Sequence, residues 1–305
     1  AKPMTRLTAN LLLTLTALIW GTAFVAQNLG MQDIGPLAFT GIRFLLGALI
    51  VLPLAMREYR RLNARHHGFT QGEWLGAAGL GLLLAGGATL QQVGIAGTTV
   101  TNAGFFTVLY VPLVPLFGCL LFRTLPHWSV WPAAGGCVAG TYLLGGGELS
   151  SLATGDWWVL AGTLFWAGHV LLVGRVAAEK GAAITVACTQ FFVCGVVCLA
   201  AALLVEPIRA AGLVSAMPAI LYAGVLSVGV AFTLQVLAQR HTQASDAAII
   251  LSSETLFAAI SGALFLAEKL DGRQAAGCVL ILFCILAVQL VPQGEARRPA
   301  TDTHG

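Results

Sequence analysis

The sequence predicts an all-α, polytopic membrane protein: ten transmembrane helices arranged as two inverted five-helix repeats. Three observations carry that prediction. The chain is 57% hydrophobic and only 10% charged, with a mean hydropathy of +0.84. A soluble domain carries about 25% charged residues, so this chain has too little polar surface to face water. Apolar runs long enough to cross a bilayer recur along its whole length, and the second half echoes the first.

Ten apolar segments can be cut from the chain: residues 11–29, 36–56, 74–96, 103–122, 128–145, 157–174, 182–205, 217–238, 246–267 and 273–291. Most connections are short. "AGTT" (96–99) and "RTLPH" (123–127) leave no room for a soluble domain, and the longest loop expected is 57–72. "AKPMTRLTAN" runs straight into the first span without a small-residue cleavage site, so a removed signal peptide is not expected. Ten spans place both termini on one side. With that side cytoplasmic, Lys2, Arg6, Arg57, Arg60, Arg61, Arg65, Arg123, Arg175, Lys180, Arg240, Arg297 and Arg298 lie inside. Only Arg209, Lys269 and Arg273 lie outside, and Arg43 falls within a span. The positive-inside rule selects this orientation. The seven cysteines all lie in apolar runs, so small packing residues are expected and not disulfides.

The halves match in chain order. Trp20-Gly21 and Trp166-Ala167 are 146 residues apart; Thr89-Leu90-Gln91 and Thr233-Leu234-Gln235 are 144 apart. Gly118 and Gly262 are also 144 apart, and Gly136-Cys137-Val138 and Gly277-Cys278-Val279 are 141 apart. The unit therefore holds five spans, with halves at 1–148 and 149–305. An odd number of crossings forces the second copy to enter the membrane inverted. Inverted repeats place a binding site near the midplane, at the interface between the repeats. Trp20 and Trp166 each sit mid-span, whereas membrane tryptophans collect at the two interfaces. The repeat makes them one position seen twice, expected on the wall of a central cavity.

Several stretches carry a resemblance to a known family. They are the first-helix "WG", "TNAGFFTVLYVPLVPL" (Thr101–Leu116) and "ASDAAIILSSETLFAAISGALFLAEKL" (Ala244–Leu270). With five-plus-five spans, they make the chain similar to EamA-type members of the drug/metabolite transporter superfamily, including bacterial amino-acid exporters. The likeness covers nearly the whole chain outside the tails. Glu254 and Glu268 fall where the family's repeat has acids. Thr255 stands where a proline often follows, and Arg123 where the first repeat usually ends in glutamate. The resemblance implies export of small organic metabolites across a cytoplasmic (inner) membrane, amino acids among them.

Ionisable groups inside spans are costly and therefore informative. Glu254 shares a helix face with Ile250, Phe257 and Ser261. As a buried carboxyl it either carries a proton or meets a cation, or else it locks two helices together. Arg43 has two readings as well: it pairs with Glu254 or a substrate carboxylate, or its long stem snorkels to the interface. Gln190 holds the matching place 147 residues later. His169 lies one turn beyond Trp166, as cavity group or as packing residue. Gln91 and Gln235 match across the repeats, and Gln92, Asn102, Tyr110 and Ser253 complete the candidate polar wall. Pro112 and Pro115 interrupt the backbone ladder of the fourth span, which is tolerated only against protein or a watery cavity.

No phosphate-cradling G-x-x-x-x-G-K-[ST] is present. The expected function is therefore secondary transport by alternating access. The expected partners are a small-molecule substrate and the lipid bilayer, with possible proton coupling. Nucleic acid, cofactor and metal are not expected, and a monomer suffices. Few charges and several aromatics suit apolar or aromatic amino acids, with efflux of flat cationic drugs as the alternative. Two distant alternatives are a passive channel and an intramembrane enzyme using Ser252 or Ser253 with His169.

Overall fold

The computed structural model describes residues 4–98, 100–144, 153–179, 181–265 and 271–290, and every regular element among them is helical. In chain order these are α1 (Arg6–Gly30), α2 (Pro36–Ala64), α3 (Gln71–Ala96) and α4 in two pieces (Val100–Val108 and Tyr110–Phe122). They continue with α5 (Val130–Leu144), α6 (Thr154–Glu179) and α7 (Ala183–Val205). Next comes α8 (Ala210–Leu221, a π-helical stretch Tyr222–Phe232, and Thr233–Gln239). The last are α9 (Ala244–Leu251 and Glu254–Phe265) and α10 (Gly272–Leu290). Eight of these segments are long and apolar enough to cross a membrane; α5 and α10 are shorter. The chain is a multi-pass membrane protein. The expected boundary at 148/149, Glu268 and the tails lie outside the described residues.

The boundaries follow local chemistry. Thr5 caps α1, its hydroxyl accepting from the Thr8 amide. Thr70 and Glu73 form a reciprocal capping box at the start of α3. The expected loop 57–72 is instead helical as far as Ala64. Its Arg, Glu, Leu and Ala residues favour helix and no Gly or Pro intervenes before Gly68, so α2 extends past the apolar run. Tryptophans mark the helix ends: Trp74, Trp128, Trp131, Trp157 and Trp158 are all exposed, as an aromatic belt requires. Trp20 and Trp166, the other two of the seven, are half-buried inside the bundle.

Helices α2 and α7 pack antiparallel along their length, and each supplies the other's missing cap. The N-cap of α2 is Gly35, which has no side chain to cap with. Glu206, at the end of α7, reaches across and accepts from the Leu37 and Ala38 amides, both at 2.8 Å. A Cβ on Gly35 would fall within 2.7 Å of that carboxylate, so glycine is required there. At the opposite end, α7 starts after Ala182, again without a side-chain cap. Glu58 of α2 accepts from the Thr185 amide (2.6 Å) and hydroxyl (2.8 Å). Both carboxylates also meet the positive end of a helix dipole.

Helix α1 lies against the broken middle of α9. Gly21 makes the approach possible: a Cβ there would lie 2.5 Å from the Glu254 carbonyl oxygen and 2.6 Å from Phe257 Cβ.

Two outcomes follow. Glu206→Ala strands two amides at the head of α2, and charge-assisted hydrogen bonds of this kind are worth about 2 kcal/mol. It lowers the midpoint of thermal unfolding in detergent, and Glu58→Ala does the same from the other end; an unchanged midpoint for both rejects the clasps. Gly21→Ala forces α1 off α9 at a cost of about 1–3 kcal/mol. It reduces the yield of monodisperse protein on gel filtration, whereas Ala23→Gly, two residues away, spares it.

Candidate functional site

Three local irregularities surround one central cavity. Pro112 has no amide to give the Val108 carbonyl, and its ring crowds that carbonyl, so α4 breaks at Leu109. Leu109 closes a tighter turn onto Phe106 (3.2 Å). Helix α9 breaks at Ser252–Ser253, where hydroxyls fold back on the preceding turn: Ser252 donates to Ile249 O (2.6 Å) and Ser253 to Ile250 O (2.7 Å). The residues that restart the two helices, Tyr110 and Glu254, are 144 positions apart, and both line the cavity. The third irregularity is the π stretch of α8. Side chains of α1 bond its carbonyls, Thr16 to Ala231 O and Trp20 Nε1 to Ser227 O, both at 3.2 Å.

Aromatic rings form one side of the cavity. Phe232, the last residue of the π stretch, stacks on Trp166 (centroids 6.0 Å apart, planes at 18°) and meets Trp20 at 4.5 Å. Trp20 and Trp166 thus line the same space, as do their repeat-matched neighbours Gln91 and Gln235. The other side is polar. Gln91 donates to Thr107 Oγ1 (2.9 Å), and Gln27 lies alongside. The free volume is about 40 Å³. That holds about three waters.

Two ionisable groups face this space without a protein partner among the described residues. Arg43 does not snorkel: it is 3% exposed, lines the cavity, and makes neither a hydrogen bond nor an ion pair there. Its guanidinium carbon lies 5.2 Å from the Phe44 ring centre and 5.6 Å from that of Phe39, so ring faces supply part of its solvation. Glu254 is 5% exposed and lines the same cavity, and no ion pair joins it to Arg43. Tyr110 Oη, Trp166 Nε1 and both amide atoms of Gln235 are buried without a partner as well. Such a concentration of unsatisfied polar atoms is unusual in a folded protein.

Seven of the twelve residues expected at the site line this cavity: Trp20, Arg43, Gln91, Tyr110, Trp166, Gln235 and Glu254. Four do not. His169 and Gln190 sit behind the aromatic layer, bonded to each other at 2.9 Å, with His169 edge-on to Phe232. The structure seats them outside the wall because Phe232 fills the space between. Gln92 points to the Gln27 carbonyl (3.4 Å), and Ser253 bonds its own helix. The Asn102 side chain lies outside the described residues. Ser252, Ser253 and His169 are each engaged elsewhere, so no nucleophile–base pair forms among them. The sequence reading missed Phe24, Gln27, Thr107, Val170, Ser227 and Phe232. Phe24 and Gln27 follow Trp20 at i+4 and i+7, a spacing that marks one helix face. Phe232 carries no such signal, being one apolar residue in an apolar run.

The comparisons with known proteins agree with this architecture. The profile of the EamA-like transporter family matches residues 7–146 and again residues 153–290. An uncharacterized transporter of Archaeoglobus fulgidus is 30% identical over 293 residues, covering 95% of this chain and 88% of its own. The uncharacterized inner membrane transporter YedA of Escherichia coli K12 is 26% identical over 166 residues, 54% of this chain and 52% of its own. A known crystal structure superposes with a TM-score of 0.75 at 18% identity, covering 93% of this chain and 96% of that one. With a family match over nearly all of both halves of the chain, the protein belongs to the EamA-like transporter family.

Proposed function

We propose that the protein is a secondary transporter that exports amino acids, apolar and aromatic ones preferred, by alternating access through the central cavity. The observation that carries this reading is an unpaired guanidinium and an unpaired carboxyl on one aromatic-walled cavity. An amino acid brings the complement of all three. Arg43 takes its carboxylate, Glu254 takes its ammonium group, and Trp20, Trp166 and Phe232 take an apolar side chain. Gln91, Gln235 and Tyr110 supply further hydrogen bonds. A flat cation would suit Glu254 and the rings, but Arg43 on the same wall repels it.

The repeats at 1–148 and 149–305 are proposed as inverted five-helix units. The double family match supports this, as do cavity residues paired at offsets of 144 and 146 and the reciprocal caps of α2 and α7. Two such halves exchange shapes to open the cavity to either face in turn. Both termini are proposed to be cytoplasmic on the distribution of Lys and Arg. Glu254 is the proposed proton carrier if transport is coupled to a pH gradient.

Counterflow in proteoliposomes tests the reading. Vesicles loaded with unlabelled phenylalanine accumulate labelled phenylalanine, and the accumulation saturates. Arg43→Gln removes the partner of a desolvated carboxylate, a loss of about 2 kcal/mol. The half-saturation concentration therefore rises on the order of 30-fold. Glu254→Gln removes any response of uptake to an imposed pH gradient. Counterflow of ethidium but of no amino acid, undiminished in Arg43→Gln, rejects amino-acid export in favour of cation efflux.

A further inference from the structure

A second, larger cavity lies between the second piece of α4, the later half of α6 and the α8–α9 junction. Its free volume is about 400 Å³, measured as for the central cavity. Solute-binding pockets run from about 300 to 1,000 Å³. In this conformation the vestibule has room for a solute and the central cavity does not. The two spaces share one lining residue, Val170 of α6, which puts them side by side along that helix.

The vestibule wall is built for a charged solute. It includes Arg175 and Arg240 and, among the described residues, no carboxylate. The Arg175 guanidinium lies 3.6 Å over the Phe122 ring, and Arg240 Nε is buried without a partner among the described residues. Neither arginine forms an ion pair among the described residues. Gln239, next to Arg240, is 4% exposed and lines the same space. Its amide nitrogen donates to the Val170 carbonyl at 2.9 Å, which fixes the orientation of the amide. The other end, Oε1, is buried with no partner among the described residues. Thr242 Oγ1 is likewise unpartnered on that wall.

We propose that this vestibule is a second binding station for the transported solute, adjoining the central site at Val170. Arg240, helped by Arg175, takes the carboxylate, and Gln239 Oε1 takes a hydrogen-bond donor such as an ammonium group. The step inward passes Val170, whose carbonyl Gln239 already holds. The proposal rests on the central cavity being the transport site, but the anion preference of the vestibule can be read without any substrate.

The test uses a Thr242→Cys variant in a background with Cys119→Ala and Cys278→Ala. The introduced thiol is labelled with an anionic (sulfonate) or a cationic (trimethylammonium) methanethiosulfonate, each rate normalised to that of a free thiol. The anionic reagent reacts about tenfold faster, and Arg240→Gln with Arg175→Gln removes that preference while Arg240→Lys keeps it. Equal rates for the two reagents, or a preference that survives loss of both arginines, overturn the proposal. Repeating the labelling in phosphatidylcholine nanodiscs with and without phosphatidylglycerol separates the two sources of anion. If phosphatidylglycerol abolishes the preference, the arginines hold a lipid phosphate and the proposal falls.

In proteoliposomes, Arg240→Gln raises the half-saturation concentration for phenylalanine about tenfold from the face bearing the α8–α9 connection and less than twofold from the other. An equal rise from both faces overturns the station. If the unaltered protein carries no phenylalanine, amino-acid export falls, and the labelling ratio still decides the vestibule.

Discussion

A peptide group in a bilayer has no water to turn to, so a membrane helix that breaks must find its hydrogen bonds within the protein. Two helices here break and a third widens into a π turn, all around one cavity. The break in α4 follows from a proline, and the break in α9 from serines that bond their own helix. The carbonyls loosened in α8 are taken up by Thr16 and Trp20 of α1. Because these repairs converge, the residues that restart the broken helices, Tyr110 and Glu254, are turned onto the cavity wall. The site is a consequence of how the backbone is satisfied.

That arrangement also makes room for charge. A buried, unpaired arginine is expensive anywhere, and more so at mid-membrane. Arg43 lies near two phenyl rings, without a carboxylate within ion-pairing distance among the described residues. An ion pair with Glu254 would have neutralised both groups and left nothing to recognise a zwitterion. Both left unpaired on one cavity, they are the basis of the proposed amino-acid site. The aromatic stack of Trp20, Phe232 and Trp166 supplies the apolar remainder.

Two spaces of very different size share one lining residue, Val170. The central cavity admits a few waters, whereas the vestibule beside it admits a solute. The end of the bundle with α2's head and α7's tail is fastened by Glu206, and the vestibule opens at the other end, where Glu58 fastens α7's head. These clasps tie α2 and α7 into one unit at both ends. The helices that carry the breaks and the shared residue Val170 are others: α4, α6, α8 and α9.

Much of this was legible in the chain. Apolar runs set the helices, because backbone satisfaction in lipid leaves few alternatives. Matched residues at a near-constant offset picked out Trp20 with Trp166 and Gln91 with Gln235, and depth in a span singled out Arg43 and Glu254. The sequence by itself determined the membrane class, the approximate spans and most of the costly polar residues. Only the tertiary structure decided which of those face a common space. His169 and Gln190 bond each other at one atom apiece beside Phe232, and Phe232 itself, unremarkable in sequence, became the centre of the ring stack through a π turn. Periodicity reports depth and face along one helix. Whether two polar groups meet each other or a cavity depends on how several helices cross, and no local pattern encodes that.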